Sequence, residues 1–153
     1  MPTRPAGSHS RRLGAERGTS AIEFALFAPL LAMIVVSVVE IGFAIRQQMQ
    51  AQDAAAAGAL YAAKNGWDLA AIEAAVANAK PGSGLVATPS PVLFCGCPTS
   101  TQVVATTCGT TCVDGSTARS YVRVSASASR QSFVVTDLPL PATITASATM
   151  RLP

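Results

Sequence analysis

The chain is poor in the side chains that carry out chemistry. Of 153 residues one is histidine, 12% are charged and 5% are aromatic, with a single tryptophan. The lone histidine, His9, stands in the N-terminal leader. Triads that use a histidine base and metal sites built on imidazole are therefore unavailable to anything downstream of Arg17. No closely paired acids offer general acid–base chemistry in their place. Catalysis, a cofactor and a metal are all unexpected. The net charge of +3 invites a nucleic-acid partner, but Arg4, Arg11, Arg12 and Arg17, four of the eleven basic residues, precede the long apolar run together with Glu16, one of the eight acids. The seven basic and seven acidic residues left over cancel, so no basic face remains to follow a phosphate backbone. Length is limiting as well: 153 residues hold one small domain once a membrane segment is set aside.

What the chain has in abundance is apolar surface, with 50% hydrophobic residues. Residues 21 to 45 read AIEFALFAPLLAMIVVSVVEIGFAI, and a bilayer core needs about 20 helical residues. Only Glu23 and Glu40 interrupt the run, and Phe24 to Val39 between them would cover roughly 24 Å as a helix. Four arginines before the run and Arg46 alone just after it place the N-terminus in the cytoplasm by the positive-inside bias, with the remainder exported. A secretory signal peptide fits poorly, because the run is long and no small-residue cleavage site follows it. A lipoprotein signal would need a cysteine at the end of the run, and the first one is Cys95. An uncleaved signal anchor satisfies the composition. Pro29 removes a backbone donor in mid-helix and predicts a local distortion.

The order Arg17, Gly18, Thr19, Ser20, Ala21, Ile22, Glu23, Phe24 carries a sharper signal. It resembles the class III signal of type IV pilins and pseudopilins, in which a prepilin peptidase cuts after a glycine and a glutamate is the fifth residue of the mature chain. The resemblance implies that Gly18 precedes the cut, Thr19 becomes the N-terminus, and Glu23 with Phe24 forms the Glu-Phe pair of the tight-adherence branch. Over residues 11 to 63 the chain is similar to the TadE/TadG-like family, with Pro29, Glu40, Gly58, Tyr61 and Ala62 also in register. The implied function is that of a TadE-like minor pseudopilin, non-catalytic, taking part in assembly of a tight-adherence pilus. Its implied partners are the prepilin peptidase, other pilins and pseudopilins, the assembly platform and inner-membrane lipid. A carboxylate in hydrocarbon costs at least ~2.5 kcal/mol at mid-span and less near the interface, so Glu23 needs a partner or a task. The family resemblance implies pairing with the freed N-terminal amine of a neighbouring subunit. The plainer reading is an interfacial acid favoured by the helix dipole. Glu40 is expected at the outer interface, in solvent.

Residues 47 to 66, QQMQAQDAAAAGALYAAKNG, favour helix and contain no proline. The spanning helix should continue to Lys64, Asn65 and Gly66, where Asn and Gly suit a left-handed cap, giving roughly 69 Å from Thr19. Ala51, Ala54, Ala55, Gly58 and Ala62 fall on one face and allow close packing, either against the chain's own head or against another subunit. Asp68 is an N-cap for LAAIEAAVANAK, which PGSG stops. Strict alternation in YVRVSASASR (121–130) and TITASATMR (143–151) predicts half-buried strands. Phe133, Val134 and Val135 suggest a further strand.

The cysteines, Cys95, Cys97, Cys108 and Cys112, occupy one stretch. An even number outside the membrane reads as two disulfides in an oxidising periplasm. Of three pairings, the nested one, Cys95 with Cys112 and Cys97 with Cys108, would staple a hairpin-like loop and is expected. A four-thiolate zinc site or a redox pair is the alternative, but the gaps depart from zinc-knuckle spacing and no CxxC occurs. The expected fold is α+β: a cytoplasmic basic leader (1–18), a pilin-like transmembrane and extended helix (19–65), and a periplasmic head (66–153) holding a short helix, a three- to four-stranded antiparallel sheet and the cysteine loop (95–112). The function from another class that the residues also allow is a single-pass envelope binding protein with an uncleaved anchor.

Overall fold

The computed structural model describes residues 16–132 and 141–153. Its elements in chain order are α1 (Glu16–Asn65), α2 (Leu69–Asn78), β1 (Val92–Pro98), β2 (Val103–Ala105), β3 (Arg119–Ser129) and β4 (Thr143–Arg151). The chain divides into two units, Met1–Val39 and Glu40–Pro153, and the division falls inside α1. Most of the leader and the strand expected around Phe133 lie outside the described residues.

In the first unit α1 passes through Pro29 without a break. Its side chains from Ile22 to Val38 are almost all exposed, including Phe24, Leu26, Phe27, Leu30, Leu31, Met33 and Ile34. A helix apolar on every side has no face for a water-exposed surface. By length and composition this is a helix able to cross a membrane, and its most apolar window has no buried residue.

The second unit is built on the other part of α1. Ala51, Ala54, Ala55, Ala59 and Ala62 have no exposed surface and join Ile72 and Val76 of α2, Val122, Val124 and Ala126 of β3, and Ile144 of β4 in one core. The small-residue face thus packs within the chain. Its closest point is Gly58, where an added Cβ would stand 2.6 Å from Val76 Cγ2 and 2.9 Å from Val124 Cγ1. Both neighbours are β-branched and stiff, so they have little room to yield.

Local chemistry ends and starts the helices as expected. The Gly66 N–H donates to Ala62 O at 2.9 Å with Gly66 at φ 88°, a left-handed C-cap. Asp68 Oδ1 accepts from the Ala71 N–H at 3.1 Å and caps α2. Ile72 and Val76 are buried, whereas Leu69 is 42% exposed, because it stands one turn before the helix meets the core.

The four strands form one antiparallel sheet in the order β2-β1-β3-β4. Period-two alternation reads true in β3, where Val122, Val124 and Ala126 face the core between exposed or half-buried Arg123, Ser125 and Ser127. β4 covers the expected residues and pairs with β3 from Tyr121↔Arg151 to Ser129↔Thr143. The hairpin of β1 and β2, with Gly96 opposite Ala105, overlaps the cysteine stretch. Its residues VLFCGC are apolar on both faces and show no alternation to read.

Gly58→Ala gains roughly 1 kcal/mol of helix propensity and loses more to overpacking, which costs about 1–3 kcal/mol. A net loss of stability is expected for Gly58→Ala and a larger one for Gly58→Leu. Gly42→Ala, with nothing within 4 Å, should be neutral or stabilising. Denaturant unfolding of the detergent-solubilised chain distinguishes the three.

Candidate functional site

Three sets of residues carry the functional expectations. Gly18 and Thr19 lie within α1. Glu23 and Phe24 follow one turn later, both exposed, Phe24 at 68%. All four belong to the first unit, and the cysteines belong to the second.

Glu40, the first residue of the second unit, is 2% exposed. This corrects the expectation of a solvated interfacial acid. The cause lies in the segment that leaves β3, where the Ser132 hydroxyl donates to Glu40 Oε1 at 2.9 Å. Seven residues along α1, the Gln47 amide pairs with the backbone of Gln131 at two points. Its Nε2 donates to Gln131 O at 2.9 Å, and its Oε1 accepts from the Gln131 N–H at 3.2 Å. Gln48 Nε2 donates to Thr145 O at 3.0 Å. Glu40, Gln47, Gln48 and Ala51 recur at helical spacing on the face toward the sheet. Sequence reasoning took QQMQ only as helix-favouring, and nothing in the pattern separated Gln47 and Gln48 from solvated glutamines.

Higher α1 residues meet lower β3 residues, since Gln47 pairs near residue 131 while Gly58 approaches Val124. α1 therefore runs antiparallel to β3 in this unit. Glu40 and the cysteine stretch accordingly sit at opposite ends of β3, whose 11 residues extend about 35 Å.

The disulfides are Cys95–Cys108 and Cys97–Cys112, with Cα separations of 5.1 and 5.6 Å. The nested pairing expected from the sequence is thereby replaced by a crossed one, and the topology gives the reason. The Thr106 N–H donates to Cys95 O at 2.8 Å, so the chain still runs antiparallel to β1 as it approaches Cys108. At Gly109, with φ 81°, it turns back. The returning segment runs in the same sense as β1, so the later cysteine of one segment meets the later cysteine of the other. The four sulfurs are joined in these bridges, and a bridged sulfur is not the thiolate that a zinc site takes. Among the described residues no cluster of ligating side chains could hold a metal.

Because β2 lies outside β1, the connection from β2 to β3 has to pass β1. It does so as a small hairpin, with Thr111 bridged to Thr117 and the Cys112 N–H donating to Ser116 O at 2.7 Å. Asp114 turns the tip: its Oδ1 accepts from the Ser116 hydroxyl at 2.7 Å and the Ser116 N–H at 3.0 Å. These bonds, the hydroxyl first, hold the Asp114 carboxyl below its ordinary 3.8. A depressed carboxyl contributes above its unfolded value, so this contribution is lost only as pH falls into the strongly acid range. Val113 beside it is fully exposed.

Among the described residues one helix is long and apolar enough to span a membrane, and with the disulfide-bonded α+β unit it defines a candidate membrane-anchored protein. Residues 18–60 match the family model of TadE-like proteins. No curated protein and no solved structure matches the chain.

The crossed pairing has a direct check. Replacing Cys95 and Cys108 together by Ser should leave no free thiol in the denatured protein and cost about 2–4 kcal/mol. Replacing Cys95 and Cys112 together should strand two thiols that react with a maleimide. Reversed thiol counts would support the nested bridges instead.

Proposed function

We propose that the chain is a minor pseudopilin of the tight-adherence pilus, made as a precursor and cut after Gly18 by a prepilin peptidase. The observation that carries this reading is the TadE-like match over residues 18–60. It opens on the residue before the proposed cut and takes in Glu23, Phe24, Glu40 and Gly58. The leader (1–18) stays in the cytoplasm, the apolar half of α1 crosses the inner membrane, and the head lies in the periplasm. There its cysteines meet the oxidising conditions that disulfides require.

The mechanism is mechanical and involves no catalysis by this chain. Processing exposes the Thr19 amine, and the exposed Glu23 carboxylate pairs with the corresponding amine of a neighbouring subunit as the helices come together. In lipid an uncompensated carboxylate is costly, so this pairing supplies both order and driving force. The antiparallel run of α1 and β3 then puts the disulfide hairpin, with Val113 at its tip, at the end of the head farthest from Glu40. That end offers the contact to other pilus components.

Intact mass and N-terminal sequencing of the membrane-extracted protein, with and without its peptidase, test the reading. A mature chain beginning at Thr19 only when the peptidase is present is expected, and Gly18→Leu should retain the leader. Glu23→Ala should still be cut but fail to assemble. A chain that keeps its leader in both conditions would overturn the proposal in favour of an uncleaved anchor bearing a binding head.

A further inference from the structure

The outer end of the apolar run carries a groove that the core leaves open. Ile41, Ala44 and Ile45 of α1 form one wall, Pro141 and Ile144 at the entry to β4 form the other, and Arg130 at the exit of β3 stands at the rim. The space is about 250 Å3. Ile41 and Ile45 remain 47% and 57% exposed although Glu40 and Ala51 on the same helix are buried. Gln48 Nε2 ties the two walls together by donating to Thr145 O at 3.0 Å, and the rim is joined to the second wall where the Arg130 N–H donates to Ala142 O at 2.8 Å.

Two independent considerations say what fills it. Counted from Phe24, a bilayer core of about 20 helical residues ends near residue 43, so Ile41, Ala44 and Ile45 fall where acyl chains meet headgroups. At that depth an apolar groove is in contact with lipid and not with water. Its one cation is an arginine, whose stem lies along apolar surface while its planar head binds phosphate oxygens in pairs. Arg46 on the same helix adds positive charge at this level, and no acid lines the groove among the described residues.

We infer that this groove holds an acyl chain of a periplasmic-leaflet phospholipid whose phosphate rests on Arg130. The inference depends on the membrane-anchored reading above. It makes the base of the head a lipid subsite, so that leaving the membrane requires shedding a bound lipid as well as extracting a helix.

The test uses the full chain in vesicles of phosphatidylethanolamine and phosphatidylglycerol, with a benzophenone side chain placed at Ile45 or, separately, at Ile34 within the span. Irradiation should give a phospholipid adduct at both positions. The adduct at position 45 should fall at least three-fold in Arg130→Ala and return only in part in Arg130→Lys, which keeps the charge but not the paired contact, while that at position 34 stays constant. An adduct at 45 indifferent to Arg130→Ala, no adduct at 45 beside a normal one at 34, or a crosslink from 45 to the chain's own 133–140 peptide would each overturn the lipid site alone. No lipid adduct at 34 would remove the membrane span, and the lipid site with it.

Discussion

The second unit depends on how closely a helix can approach a sheet. α1 offers alanines at 51, 54, 55, 59 and 62, with Gly58 among them, and its one large side chain packed against the core, Tyr61, is only half-buried. The bulk comes from the other partners, chiefly Val122 and Val124 of β3 and Ile72 and Val76 of α2, which are the largest fully buried side chains among the described residues. Each contributes roughly 1.5–3 kcal/mol on burial, a modest total for a unit of this size. Contact must therefore be tight to count, since dispersion is lost steeply with any gap. The core face of β3 also narrows from valine to alanine along the strand. At the valine end the helix presents Gly58, and at the alanine end it presents Gln47 and Gln48. Helix and sheet complement each other in register and in direction.

Those glutamines act where packing runs out. Beyond Ala128 the core face has no large apolar side chain from β3, and the backbone of the departing segment would be left short of partners. Gln47 supplies a donor and an acceptor to Gln131 in the manner of an adjoining strand, and Gln48 caps the Thr145 carbonyl. Glu40 extends the same row toward the apolar run. Its burial against Ser132 takes a carboxylate that stands in the last turns of that run and surrounds it with protein. An acid that would be expensive facing lipid is thereby tolerated at a position where the apolar run has not yet ended.

Elements with one dominant signal were legible from sequence: the apolar helix, the Asp68 cap, the Asn65–Gly66 stop, and the two alternating strands β3 and β4. The small-residue face was visible too, but its partner was not, because alanines that admit a neighbouring helix equally admit a sheet. β1 was hidden for a different reason. Val92 to Cys97 are apolar on both faces, since Cys95 and Cys97 on one side are bonded to the crossing hairpin while Phe94 on the other stacks with Tyr121 at 6.0 Å and lies under the Arg123 guanidinium at 4.9 Å. A run with no contrast carries no period. The burial of Glu40 was not legible because the partner it meets is a serine 92 positions away, a relation that spacing along the helix does not encode.

The cysteine pairing shows how strand order constrains covalent chemistry. A hairpin between neighbouring strands brings the first cysteine to the last, and nesting follows. Here the edge strand β2 is made before β3, so the chain must cross β1 to continue the sheet on its other side. A crossing without a helix buries little apolar surface of its own, and Cys112 is its one buried residue among those described. Two bridges to β1 replace the missing packing by limiting the freedom of the unfolded chain over loops of 13 and 15 residues. The turn at Gly109 makes those bridges run in parallel, so they fix the hairpin at two points along β1 and prevent it from pivoting about one. The exposed Val113 at the tip of such a doubly fixed turn has little conformational freedom left to lose.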